Sequence, residues 1–93
     1  MYTLVFAARF KKSFRKYSDS GKFPMKKFEQ ALAHLVAGEN LPVSYDDHQL
    51  KGILATFREF HLSQDLLVQY ERNEVLRFVI LRKIGTHTEL FGG

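Results

Sequence analysis

Two stretches near the C-terminal end, DLLVQYE (65–71) and VLRFVILRKI (75–84), are apolar on nearly both faces and lie three residues apart. A strand with one wet face alternates apolar and polar residues, whereas a strand apolar on both faces needs cover on both. These two runs are therefore expected at the centre of a sheet beneath helices, joined as a hairpin across RNE. A third run, ILATFREFHL (53–62), precedes them across SQ and extends the antiparallel meander. Upstream, YTLVF (2–6) is short, aromatic and β-branched, and reads as a strand. Residues 8–19 place Phe10, Phe14 and Tyr17 on one helical face, with Lys11, Lys12, Arg15 and Lys16 mostly away from it. SDSG (18–21) ends that helix, and Pro24 opens a second whose stripe is Met25, Phe28, Leu32, Leu35 and Val36, with Gly38 as its stop. ENLPVSYDDHQLKG (39–52) reads as loop. The order is β-α-α-β-β-β with a short terminal segment. That is an α+β fold, two helices packed on a small, mainly antiparallel sheet, in one domain spanning 1–93.

The totals narrow the function. There are 93 residues, enough for one modest core. No apolar run approaches the ~18 residues of a membrane span, and the start MYTLVFAARFKK lacks the layout of a signal peptide. Cysteine is absent, which excludes disulfides and thiolate metal sites and fits a reducing cytoplasm. The net charge of +4 is unevenly spread: residues 1–27 hold eight Lys or Arg against Asp19 alone. Such a block suits a polyanion, so the Lys11, Lys12, Arg15 and Lys16 face is a candidate nucleic-acid contact.

Four histidines need a reason: His34, His48, His61 and His87. His34 sits mid-helix beside Gln30, Ala31 and Gly38, and is expected at a wet helix edge. The other three fall at segment ends. His48 is expected in the loop before the meander, His61 at the end of its first strand, and His87 after its last strand. Asp65, four residues past His61, begins the next strand. A meander can bring all of these to one region. No His-x-x-x-His spacing marks a metal site, so none is expected, and no small-molecule cofactor either. Ser63 lies near His61, but no nucleophile elbow frames it. Histidines, a carboxylate and cations suffice for metal-free RNA cleavage, because the RNA supplies its own 2′-OH nucleophile. Imidazole serves as base or acid near neutral pH. A cation, Arg82 or Lys83, can stabilise the crowded phosphorane. Phe91 can stack on an unpaired base.

Three stretches, LPVSYDDHQLKG, TFREFHLSQDLLVQYE and RKIGTHTELFG, together resemble the YafQ-like branch of the RelE/ParE superfamily of bacterial toxins. The resemblance covers residues 41–92. It implies a RelE-like fold and a ribosome-dependent mRNA interferase of the bacterial cytoplasm, cutting mRNA in the ribosomal A site. It also implies a cognate antitoxin as partner, expected to be acidic and partly disordered. His48, His61, Asp65, His87 and Phe91 match the family's active-site positions. Two positions depart from the pattern. Lys83 stands where relatives often have arginine, with Arg82 one residue earlier. Neighbours in a strand face opposite ways, so Arg82 substitutes only if the strand is bulged. Leu66 stands where close relatives can have an aromatic. Two rival readings are a gyrase-inhibiting ParE-type toxin, which needs no histidine cluster, and a non-catalytic RNA-binding module.

Overall fold

The computed structural model describes residues 1–52 and 56–91. Strand β1 (Thr3–Phe6) leads into helix α1 (Ala8–Ser18) and helix α2 (Met25–Val36). A 3-10 turn (Val43–Tyr45) then precedes β2 (His48–Gln49), β3 (Arg58–Ser63), β4 (Leu66–Asn73), β5 (Phe78–Gly85) and the short helix α3 (His87–Phe91). The sheet order is β1-β5-β4-β3-β2. Only β1 and β5 pair in parallel, so the sheet is mainly antiparallel, as expected.

Double burial puts β4 in the middle: Leu67, Val68, Gln69 and Tyr70 are all buried in succession. On the helix side, Phe60, Leu62, Val68, Tyr70, Val79, Leu81 and Ile84 pack against Phe10, Phe28, Ala31 and Leu35. The two helices are joined by an aromatic cluster. Phe14 meets Phe23 edge-on at 5.2 Å and Phe28 at 5.2 Å, and Phe10 stacks on Phe28 at 6.1 Å. Such pairs add roughly 0.5–1.5 kcal/mol each beyond area burial. The end of α2 is fixed to the sheet by Tyr2 N–H donating to the Val36 carbonyl at 2.8 Å and Arg72 donating to the Gly38 carbonyl at 2.6 Å. Gly38 has φ of +74°, and a Cβ there would meet the Tyr2 ring at 2.8 Å, so only glycine fits this stop.

Several boundaries differ from expectation. Residues 53–55 of the ILATFREFHL run lie outside the described residues, and its strand begins at Arg58. Val75 and Leu76 are in the β4–β5 turn, 90% and 71% exposed, because Arg77 takes a left-handed φ of +56° before β5 begins. Apolar composition alone cannot locate a turn built from apolar residues. His48 is on a two-residue edge strand, His61 lies two residues inside β3, and Asp65 is in the turn before β4. Tyr17 and Met25 leave the core, Met25 at 40% exposure, and Ala31 takes a core position instead. His34 is at a helix edge, as expected, with Nδ1 2.8 Å from Glu39 Oε1.

Replacing the buried Phe28 by Ala should cost about 3–5 kcal/mol in chemical denaturation, since three aromatic partners lose their contacts at once. Val75→Ser, at an exposed turn, should stay within about 0.5 kcal/mol.

Candidate active site

The pairing register builds the site. His48 stands opposite Glu59, Glu59 opposite Gln69, and Gln69 opposite Lys83, in one row across four strands. The next row holds His61, Leu67 and Gly85. Both rows belong to the sheet face away from α1 and α2, because directly opposed residues share a face and successive ones alternate. Gly85 is then followed by Thr86 and His87, which returns the chain to His61. Two bulges flank the site, one extra residue at Leu62 and another at Arg82. Bulges re-aim side chains in this way near active sites.

Four rings result in a line. His48 and His61 are 6.1 Å apart between centroids, His61 and His87 6.4 Å, and His87 stacks on Phe91 at 5.5 Å. The expected residues His48, His61, Asp65, His87 and Phe91 are thus brought together. The Asp65 carboxylate accepts from the His87 backbone N–H at 3.5 Å. Lys83 makes no hydrogen bond or ion pair among the described residues. Arg82, the bulged residue, is paired instead with Glu71. Lys11, Lys12, Arg15 and Lys16 of α1 are exposed, but Lys16 is engaged by Glu89 at 3.1 Å.

Asp46, Glu59 and Glu89 complete the arrangement, and the sequence did not single them out for it. Asp46, left-handed at φ +48°, accepts through its backbone carbonyl at 2.8 Å from His48 Nδ1 and places Oδ2 3.5 Å from His61 Nε2. Adjacent Asp47 anchors this loop. It accepts from Arg58 Nε and Nη2 at 3.3 and 3.2 Å and from the Tyr70 hydroxyl at 2.7 Å. Burial, then the neighbouring Asp47 carboxylate, pushes the Tyr70 phenol up. Asp46, His48 and His61 offer ligand atoms all within 4.8 Å of one another. Two imidazoles and a carboxylate suit a divalent ion such as zinc or copper. Spacing in sequence hid that grouping, since the three come from a turn and two strands.

Glu89 forms a capping box with Thr86. Its carboxylate accepts from Thr86 N–H at 3.0 Å, while Thr86 Oγ1 accepts from Glu89 N–H at 3.3 Å. The same carboxylate takes the Tyr17 hydroxyl and the Lys16 ammonium, clasping α3 to α1. Five residues cannot sustain a helix unaided. The clasp and the buried Leu90 hold this one where His87 can stack on Phe91.

The model of a family described as a bacterial toxin of type II toxin–antitoxin systems, YafQ, matches residues 2–92. The chain belongs to the YafQ toxin family. It is 38% identical over 53 residues to the mRNA interferase toxin YafQ of Escherichia coli, a stretch covering 56% of this chain and 54% of that relative. A copper-bound mutant toxin from Helicobacter pylori is 31% identical, with a TM-score of 0.88, over 98% of this chain and all of its own. The E. coli DinJ–YafQ complex contains a chain of the same fold, 24% identical, with a TM-score of 0.86 over 99% of this chain and 100% of its own.

The backbone bond from Thr86 and the Lys16 ammonium hold the Glu89 carboxyl below its ordinary value of 4.5. A lowered folded-state value means the contribution is present above the ordinary value and lost as pH falls through the lowered one. Protection of the Leu90 amide, bonded to the Thr86 carbonyl at 2.9 Å, measured relative to its intrinsic exchange rate, should therefore fall on acidification below about pH 4.5. Glu89→Ala should show the low protection at neutral pH already.

Proposed function

We propose that this YafQ-family chain is an endoribonuclease, a toxin that cleaves mRNA in the ribosomal A site and so stops translation. The line of rings from His48 to Phe91, with Asp46 and Asp65 beside it, carries the reading. Further support comes from the E. coli relative described as an mRNA interferase.

The chemistry is an internal transfer. One imidazole takes the proton from the 2′-OH, and the 2′-oxygen bonds to phosphorus. The bond to the 5′-oxygen breaks, and a second imidazole protonates that oxygen. The products are a 2′,3′-cyclic phosphate and a 5′-OH. His61 and His87, 6.4 Å apart between ring centroids, are the candidates for these two transfers, with His48 beyond to contact phosphate or share a proton. Asp65 orients His87 through its backbone. Lys83 is the cation for the phosphorane, since Glu71 neutralises Arg82. Phe91, 44% exposed and stacked on His87, offers its ring to a base. A gyrase-directed toxin would leave this constellation without a task.

A cognate antitoxin, acidic and partly disordered, is the expected protein partner, in keeping with the family's toxin–antitoxin systems. The other partners are the ribosome and mRNA, and the setting is the bacterial cytoplasm. Among the described residues no helix is long and apolar enough to cross a membrane. The exposed Lys11, Lys12 and Arg15, with Lys16 beside them, face ribosomal RNA in this reading.

Primer extension on mRNA in a reconstituted translation reaction tests it. Wild-type protein should give cuts inside codons only when ribosomes are present, and His87→Ala should abolish them. Intact mRNA with the wild type would refute the activity. Reversing Lys11, Lys12 and Arg15 to Glu should weaken ribosome binding and flatten its salt dependence by about one logarithmic unit per residue. The fold should be retained, because all three side chains are exposed. Unchanged affinity would remove α1 from the ribosome contact.

A further inference from the structure

Glu59 is 1% exposed, one of only two buried polar residues among those described. Its Oε2 has no hydrogen-bond partner there. Directly opposite, Gln69 is equally buried and its Nε2 is also unpaired. Burying a carboxyl group with an unused oxygen is costly, and an apolar side chain of similar size would serve the sheet better. The other oxygen has a specific neighbour: Oε1 lies 3.4 Å from His48 Nε2. On the far side of the ring, the Asp46 carbonyl takes Nδ1 at 2.8 Å. His48 is thus flanked on both sides: the backbone of a pinned turn bonds Nδ1, and a carboxyl that cannot swing into water lies within ion-pair distance of Nε2. Its side chain remains 44% exposed toward the face where His61 lies.

We propose that Glu59 is a positioning residue for His48, fixing the ring's orientation for RNA cleavage at the cost of an orphaned buried oxygen. The proposal rests on the endoribonuclease reading. Glu59 does not touch the RNA; it acts through the imidazole. Gln69 supplies the neighbouring amide that confines Glu59 within its row.

The experiment combines kinetics, thermal unfolding and the His48 ring spectrum. Glu59→Leu should unfold at the same temperature as wild type or higher. It should also lose roughly tenfold or more in the cleavage rate at saturating ribosome-bound mRNA, with little change in half-saturation. Glu59→Gln, which keeps an acceptor oxygen, should recover most of the rate. In a His48→Ala background, Glu59→Leu should have no further effect. The ring signals of His48 in a proton–nitrogen spectrum should move in Glu59→Leu while those of His34 stay. If Glu59→Leu does not fold, Glu59→Met takes its place with the same expectations. A full rate in the apolar variant, an additive loss on top of His48→Ala, or an unmoved His48 spectrum would each overturn the proposal. Wild-type protein that cuts no mRNA would refute the endoribonuclease reading instead, and the ring spectrum would then decide this one.

Discussion

β4 has no solvent face between Leu67 and Tyr70, and the rest of the molecule is arranged around that constraint. Its helix side is filled by Val68 and Tyr70 against the aromatic cluster of α1 and α2. Its other side carries Leu67 and Gln69, and there the pairing register aligns His48, Glu59 and Lys83 in one row and His61 in the next. A central strand buried on both faces resists slipping, because a one-residue shift would exchange its two faces. The histidines therefore inherit their spacing from the most deeply buried part of the sheet. Tyr70 links the two sides, since its ring lies in the core while its hydroxyl holds Asp47 beside the site.

Departures from regularity do the local aiming. A bulge at Arg82 frees that residue to pair with Glu71 and keeps Lys83 in the row of Glu59 and Gln69. The bulge at Leu62 lies immediately after His61. The left-handed Asp46 turns the chain so that one residue serves two histidines, by carbonyl and by carboxylate. At the C-terminal end, a capping box and a clasp to α1 convert five residues into a helix that presents His87 and Phe91. The terminal aromatic is explained by the same device: its ring stacks on the imidazole one turn earlier.

Much of this was legible in the sequence. Continuous apolar runs named the central strands, and Pro24 and Gly38 bracketed the second helix. The histidines at segment ends, with Asp65 and Phe91, marked the site because hairpins bring such ends together. The hidden features are those that depend on three dimensions. Whether Arg82 or Lys83 lies in the row of Gln69 turned on a bulge, which no residue pattern announced. Asp46 fell within a stretch read as loop, and no pattern marked Glu59 or Glu89. Tyr17 read as a member of the α1 aromatic face; its partnership with Glu89 requires α1 and α3 to meet in space. Val75 and Leu76 misled in the other direction, reading as strand when they form a turn.

In the proposed reaction the histidines move protons for an attack by the RNA's own 2′-OH. The chemistry of the cut ends tests this, read by mass spectrometry on fragments from a ribosome-bound mRNA. Attack by the 2′-OH should leave a 2′,3′-cyclic phosphate, or the 3′-phosphate it hydrolyses to, on the upstream fragment and a 5′-OH on the downstream one. A 3′-OH with a 5′-phosphate would contradict it, because that outcome requires water as the nucleophile and a different use for Asp46, His48 and His61.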